Sequence, residues 1–267
     1  MVKITDNEFQ DFVKYMNKNY GIDLSKKRIL IEGRLSNLIE KKGMNSFSEY
    51  LKSVKNNNDE QTMLVNKLTT NYTYFYREEK HFQYLVDTIL PFEEKTNKAK
   101  LLNIWSAGCS SGEEPYTIAM ILDDYFKYKI NQWKIRINAT DISENVLSKA
   151  REGIYSEDSI SKLPESYIKR YFIKLCDNKY QVIPEIKKHI KFKVFNLMTP
   201  VQEKNRYHVI FLRNVMIYFD PGTKNNIVNK LYSATRPGGC LMIGHAEIIQ
   251  RAQSKYHYIK PAIYKKE

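Results

Sequence analysis

Residues 103–122, NIWSAGCSSGEEPYTIAMIL, decide how the chain is read. An apolar run ends at Gly108, small residues continue to Gly112, and Pro115 stands in the first turn of a second apolar segment. This is a strand, a small-residue loop and a helix, the layout of a nucleotide pocket. Its details point away from phosphate. The glycines are not spaced as G-x-G-x-x-G, and the lysine of a P-loop is missing. Glu113 and Glu114 also stand where the helix's free N–H groups would otherwise meet an anion. Either carboxylate could complement the helix dipole or receive a ligand that carries an ammonium or hydroxyl donors.

Downstream, strand and helix patterns alternate. IRINATD is a strand, and residues 144–152 form a helix. YHVIFLRN is a later buried strand, GTKNNIVNKLYSAT a helix, and RPGGCLMIG a turn into another strand; YIKPAIYKK reads as one last strand. The alternation predicts a doubly wound, mostly parallel Rossmann-like α/β domain over residues 100–267. Residues 171–183 read as a short antiparallel hairpin, placing a small inserted β-subdomain at about 168–190. Asp141 ends the strand IRINATD, where an acidic side chain can accept both hydroxyls of a ribose. Arg213 and Asn214 follow the strand YHVIFL, at the end of the sheet where ligands sit. S-adenosylmethionine matches these features, having no phosphate but a sulfonium, an ammonium and a ribose diol.

Upstream, the first 70 residues read as an all-α domain. Thr5 and Glu8 form a capping box, Phe9, Phe12, Val13 and Met16 share one face, and Gly21 stops the helix. A second helix carries Leu24, Ile31, Leu35 and Leu38 and ends at Gly43. A third spans 46–54, Asn56 to Asp59 is a polar break, and a fourth runs over 60–68. Residues 71–99 form a linker and connecting helix. Within the linker, Asn71, Thr73 and Arg77 occupy odd positions that would face one way in an extended chain, making it a lid over the pocket.

Composition narrows the function without choosing it. The net charge of +13 fits a solvated lysine-rich surface or an acidic partner. Cys109, Cys176 and Cys240 have no paired spacing, and the histidines show no metal-ligand spacing, so no metal is expected. No segment reads as a signal peptide or a membrane span, which leads to the expectation of a cytoplasmic protein.

Taken together, Asn-x-Thr-x-Phe-x-Arg-Glu at 71–78, Trp-Ser-Ala-Gly-Cys-Ser-Ser-Gly-Glu-Glu-Pro-Tyr at 105–116 and Arg-Asn-Val-Met-Ile-Tyr-Phe at 213–219 resemble the CheR family of chemoreceptor protein-glutamate O-methyltransferases. AREGIYS and GHAE (Gly244 to Glu247) match as well, so the resemblance covers nearly the whole chain. It implies methyl transfer from S-adenosylmethionine to receptor glutamates, giving methyl esters and S-adenosylhomocysteine, for sensory adaptation in chemotaxis. By motif, Asn71, Thr73, Arg77, Glu114, Asp141, Asn196, Leu197, Arg213 and Asn214 would contact the cofactor, with Glu114 preferred over Glu113. A carboxylate acceptor is already ionised at neutral pH and needs no general base. Arg77 and Tyr218 are therefore the expected catalytic pair, holding and aiming the acceptor.

The resemblance also implies docking on chemoreceptor cytoplasmic domains through a basic second helix, here Lys27, Arg34 and Lys41. The inserted hairpin lacks the longer, glycine-containing turn with which some members grip a C-terminal peptide, so no such tether is expected. A monomer is expected, with neither nucleic-acid binding nor membrane insertion. Two other readings stand beside this one. A nucleic-acid methyltransferase suits the charge but lacks the Pro-Pro-aromatic element; a non-catalytic adaptor would have no need of Arg77, Asp141 and Tyr218.

Overall fold

The computed structural model describes residues 2–69 and 72–267. Four helices come first: α1 (Asp6–Tyr20), α2 (Arg28–Lys41), α3 (Phe47–Asn56) and α4 (Asn58–Leu68). Thr5 caps α1 by accepting from the Glu8 amide, while the Glu8 carboxylate accepts from the Thr5 amide. The break between α3 and α4 narrows to one residue: Asn57 ends the third helix and its side chain caps the fourth. An Asn side chain satisfies the first amides of a helix directly, so no polar loop is needed.

The connecting segment holds α5 (Lys80–Tyr84), a single π-helical turn and α6 (Leu90–Thr96). The second domain then runs β1 (Leu101–Ala107), α7 (Glu113–Phe126), β2 (Lys134–Asp141), α8 (Glu144–Glu152), β3 (Ile154–Ser156), α9 (Glu157–Ile160), α10 (Glu165–Tyr171), β4 (Phe172–Lys174), β5 (Lys179–Val182), α11 (Pro184–Lys187), β6 (Ile190–Val194), β7 (Tyr207–Leu212), α12 (Pro221–Ala234), β8 (Thr235–Ile243), β9 (His257–Lys260) and β10 (Ile263–Lys265).

The main sheet has the order β6-β2-β1-β7-β8-β10-β9. Its first five strands are parallel, and β10 and β9 add an antiparallel edge. The chain therefore closes with two strands, not one. Residues 261–262 turn between them, with Ala262 at a positive φ of 63°, because Pro261 removes an amide that one continuous strand would have to pair. The small sheet also differs from a plain hairpin. Its order is β3-β5-β4, and β3 lies upstream of residues 168–190, with Tyr155 opposite Tyr180. A three-residue strand is too short for its alternation to register.

Strand side chains alternate between two cores. Leu102 and Ile104 of β1 join the cluster beneath α7, whereas Trp105 and Ala107 join one that continues into the helical domain. Phe12, Ile31, Phe47 and Leu64 belong to this same second cluster. The N-terminal helices are thus packed onto one side of the sheet. Hydrogen bonds join the two domains at the same seam: Asp23 N to Tyr218 O (2.8 Å), Asn17 Nδ2 to Asp220 Oδ2 (3.0 Å) and Asn196 Nδ2 to Asn19 O (2.8 Å). Among the described residues no helix is long and apolar enough to cross a membrane.

Candidate functional site

The parallel strands point their carboxyl ends at one cavity. β1 contributes Gly108, Cys109 and Ser110, β2 leads to Asp141, β6 to Phe195, Asn196 and Leu197, and β7 to Arg213 and Asn214. This is where a doubly wound sheet leaves a crevice between diverging connections. Gly108 shows how tight the loop is: φ is +86°, and a Cβ there would lie 2.4 Å from Val215 Cγ2.

Each acidic residue has a distinct setting. Asp141 receives the Ser110 amide on one oxygen (2.9 Å) and the Ser143 amide on the other (3.0 Å). Burial raises its pKa above the usual carboxylate range, against those amides. Ser110 Oγ is buried without a hydrogen-bond partner, though Ser110 lines the cavity. Glu114 also lines it, accepting from Ser106 Oγ (2.6 Å) and pairing with Arg213 Nη1 (2.9 Å). Glu113, one residue earlier on α7, is buried, held by Ser111 Oγ, and raised in pKa by burial.

Arg213 is the centre of the polar network. Its side chain is 3% exposed and ion-paired with both Glu114 and Glu78, and its guanidinium donates to the Arg77 carbonyl. Glu78 also accepts from Asn214 Nδ2 (3.3 Å) and the His245 amide (3.2 Å). Burial pushes Glu78 upward, but Arg213 and these donors outweigh it and hold its pKa low. Asn214 sits at φ 58°, and the Glu247 carboxylate receives its amide (3.0 Å) together with those of Gly244 (2.6 Å) and Ile217 (3.2 Å). Glu78 and Glu247 are supports that sequence reading left without a role. Glu78 closes the motif at 71–78 and Glu247 closes the GHAE stretch, and neither carried a function there.

Glu78, His81 and His245 also bring three potential metal donors within 4.8 Å of one another, an arrangement that spacing along the chain does not reveal. His81 is fully buried, and neither ring nitrogen has a hydrogen-bond partner. The Glu78 carboxylate, however, is already committed to Arg213, Asn214 and His245, and a cation there would have to displace the guanidinium.

The linker forms the outer wall. Thr73 and Arg77 line the cavity, as do Tyr72, Tyr74 and Tyr76; Asn71 lies outside the described residues. The extended reading stops at Tyr74. Residues 75–79 are turns, with Tyr76 and Glu78 at positive φ, so a bend brings Arg77 inward, not strand alternation. Phe75 anchors the bend by packing edge-on against Tyr155 (4.9 Å) and Phe172 (5.7 Å) of the small sheet. Arg77 donates to the Tyr72 carbonyl (2.6 Å) and lies over the rings of Tyr72 and Tyr74. Tyr218 lines the inner end, in a 3₁₀ turn after β7. The helical domain closes the remaining side with Tyr20 and Ile22, which sequence reading did not place at the site.

The basic stripe on α2 is interrupted. Lys27 and Lys41 are exposed, but Arg34 donates to the carbonyls of Lys67 (2.9 Å) and Thr69 (3.0 Å) at the end of α4. A helix C-terminus presents unsatisfied carbonyls, and a guanidinium one helix away is a natural donor for them.

Two family models match the chain: the CheR methyltransferase all-alpha domain over residues 7–69, and the CheR methyltransferase SAM binding domain over residues 71–264. The chain is 46% identical to the chemotaxis protein methyltransferase of Borreliella burgdorferi, across 99% of this chain and 96% of that protein. It is 36% identical to chemotaxis protein methyltransferase 2 of Vibrio cholerae, across 96% and 90%. It is 31% identical to chemotaxis protein methyltransferase 1 of Pseudomonas aeruginosa, across 95% and 94%.

Proposed function

The chain belongs to the CheR methyltransferase family, and from that premise we propose that it esterifies glutamate side chains of chemoreceptor cytoplasmic domains with the methyl of S-adenosylmethionine. The observation that carries this reading is the make-up of the cavity. No histidine or lysine is among its described lining residues, and its two carboxylates are occupied, one with Arg213 and one with loop amides. An amine or hydroxyl acceptor would need a base to take its proton, whereas a carboxylate needs none.

The residues fit the cofactor. Asp141 and the unpartnered Ser110 hydroxyl suit a ribose diol, Glu114 with Thr73 and Arg213 suits the methionyl end, and Asn196 and Leu197 suit the adenine. Asn71 and Asn214 complete the proposed binding set. When bound, S-adenosylmethionine supplies a methyl on a positive sulfur: the S–C bond breaks as an O–C bond forms, and no proton moves. Arg77 and Tyr218 hold the acceptor carboxylate in line and keep water away. Tyr218 is neutral, so it positions the oxygen without quenching its nucleophilicity.

Docking on the receptor would use the exposed Lys27 and Lys41 of the α2 face, while Arg34 braces that face from beneath. The β4–β5 turn, residues 175–178, is short and lacks glycine, which supports docking without a peptide tether. The test is transfer of labelled methyl to a purified receptor fragment, followed by mild alkali. Volatile methanol is expected from a carboxyl ester. Alkali-stable label would overturn the glutamate assignment.

A further inference from the structure

One cation beside the cavity takes no part in the proposed methyl transfer. Lys162 lies in the short link between α9 and α10, its backbone fixed by the buried neighbours Ile160 and Leu163 and by the Leu163 amide bonding the Ile160 carbonyl (2.9 Å). Its side chain is exposed, yet it is placed: Nζ stands 3.7 Å from the centre of the Tyr74 ring. Tyr74 lines the cavity, and Arg77 lies over the same ring at 5.8 Å. Tyr72 stands beside it, 5.8 Å between ring centres and 68% exposed. Among the described residues neither Lys162 nor Arg77 forms an ion pair with a carboxylate, although Lys129, Lys169 and Arg170 elsewhere on the surface do.

Two cations held on aromatic faces, without anionic partners, at the outer wall of a methyl-transfer site make a receptor for negative charge. We propose that Tyr72, Tyr74, Arg77 and Lys162 form a carboxylate-recognising rim in which Arg77 meets the glutamate to be methylated and Lys162 meets a second acidic side chain of the substrate. Both positive groups lie within 6 Å of one ring centre. Acidic residues one helical turn apart on a substrate helix have Cβ atoms about 5–6 Å from each other, close enough for their carboxylates to meet two cations that share one ring. The proposal rests on the protein-glutamate reading and adds a specificity element to it: the acceptor glutamate is chosen partly by an acidic neighbour three or four residues away.

The experiment measures methyl-ester formation on a purified chemoreceptor cytoplasmic fragment by wild type, Lys162→Ala, Lys162→Glu and, as a control, Lys174→Glu. Lys174 is likewise exposed and lies over the ring of Tyr180 at 5.8 Å in the small sheet. Lys162→Ala is expected to raise KM for the fragment about three- to ten-fold and Lys162→Glu further, as for a charge at an interface rim. KM for S-adenosylmethionine should stay unchanged, and the salt dependence of KM should weaken. Changing the acidic neighbour in the fragment to lysine should restore Lys162→Glu. The rim is overturned by an unchanged fragment KM in Lys162→Glu, by an equal rise in Lys174→Glu, or by a parallel rise in KM for S-adenosylmethionine. Wild-type protein that forms no alkali-labile ester would overturn the glutamate reading itself, and the rim with it.

Discussion

Glu113 and Glu114 are neighbours with opposite surroundings, so single substitutions separate them. Glu114→Gln removes a charge that faces the cavity and half of Arg213's pairing; affinity for S-adenosylhomocysteine by titration calorimetry is expected to fall about ten-fold or more, the scale of a lost charged hydrogen bond. Glu113→Gln keeps its bond to Ser111 and should leave that affinity nearly unchanged. At Tyr218, removal of the hydroxyl by Tyr218→Phe should lower kcat about ten- to a hundred-fold with KM for the cofactor unaltered; nearly full activity would exclude the phenol from acceptor positioning. His81 makes a pH prediction. Burial, then the charge of Arg213, pushes its pKa from 6.5 down to about 3. The unfolded chain therefore takes up the proton first as pH falls. The stability held above pH 6.5 is lost progressively down to pH 3, by at most about 1.4 kcal/mol per pH unit. His208, lowered to about 4 by burial and Arg236, acts in the same direction. Denaturant unfolding at pH 7, 6 and 5 should show a shallower decline for His81→Asn than for wild type. Glu78 does not confuse this window, because its low pKa costs stability only below about 4.5.

At the scale of elements, the loop between β1 and α7 is shaped by contact as much as by its own sequence. The amides of Gly108 and Cys109 both donate to the Thr140 carbonyl (2.7 and 2.9 Å), tying the ends of β1 and β2 together beneath the cavity. Gly108→Ala combines a left-handed backbone, which costs about 1–2 kcal/mol for an L-residue, with overlap against Val215. Cofactor binding should be lost and the melting temperature should drop by several degrees. Adding Val215→Ala should recover part of the melting temperature, since it removes the overlap but not the backbone cost. The capping box of α1 was legible because its two partners are three residues apart. The bend at residues 75–79 was not, since it is imposed by Phe75 entering an aromatic pocket built from Tyr155 and Phe172, far along the chain.

Across the whole molecule, the helical domain is part of the site, not an appendage. Gly21 ends α1 at φ +70°, and a Cβ there would lie 2.6 Å from Met198 Sδ and 2.8 Å from Thr223 Cγ2 of the catalytic domain. Gly21→Ala should push the domains apart at the seam and displace Tyr20 and Ile22 from the cavity wall. Weaker S-adenosylhomocysteine binding and a broader or split calorimetric transition are expected; unchanged binding would show that the seam does not shape the pocket. By itself the sequence determined the four helices, the wound sheet and the strand ends that carry Asp141, Arg213 and Asn214, because periodicity, caps and glycine loops act within a few residues of one another. The grip on Arg213 and Asn214 by Glu78, Glu114 and Glu247 was decided only by the tertiary structure. So were the third strand of the small sheet, the recruitment of Arg34 to brace α4, and the wall supplied by Tyr20 and Ile22. Each of these joins surfaces that meet only once the chain has folded, and a contact between distant residues leaves no local period from which it could be read.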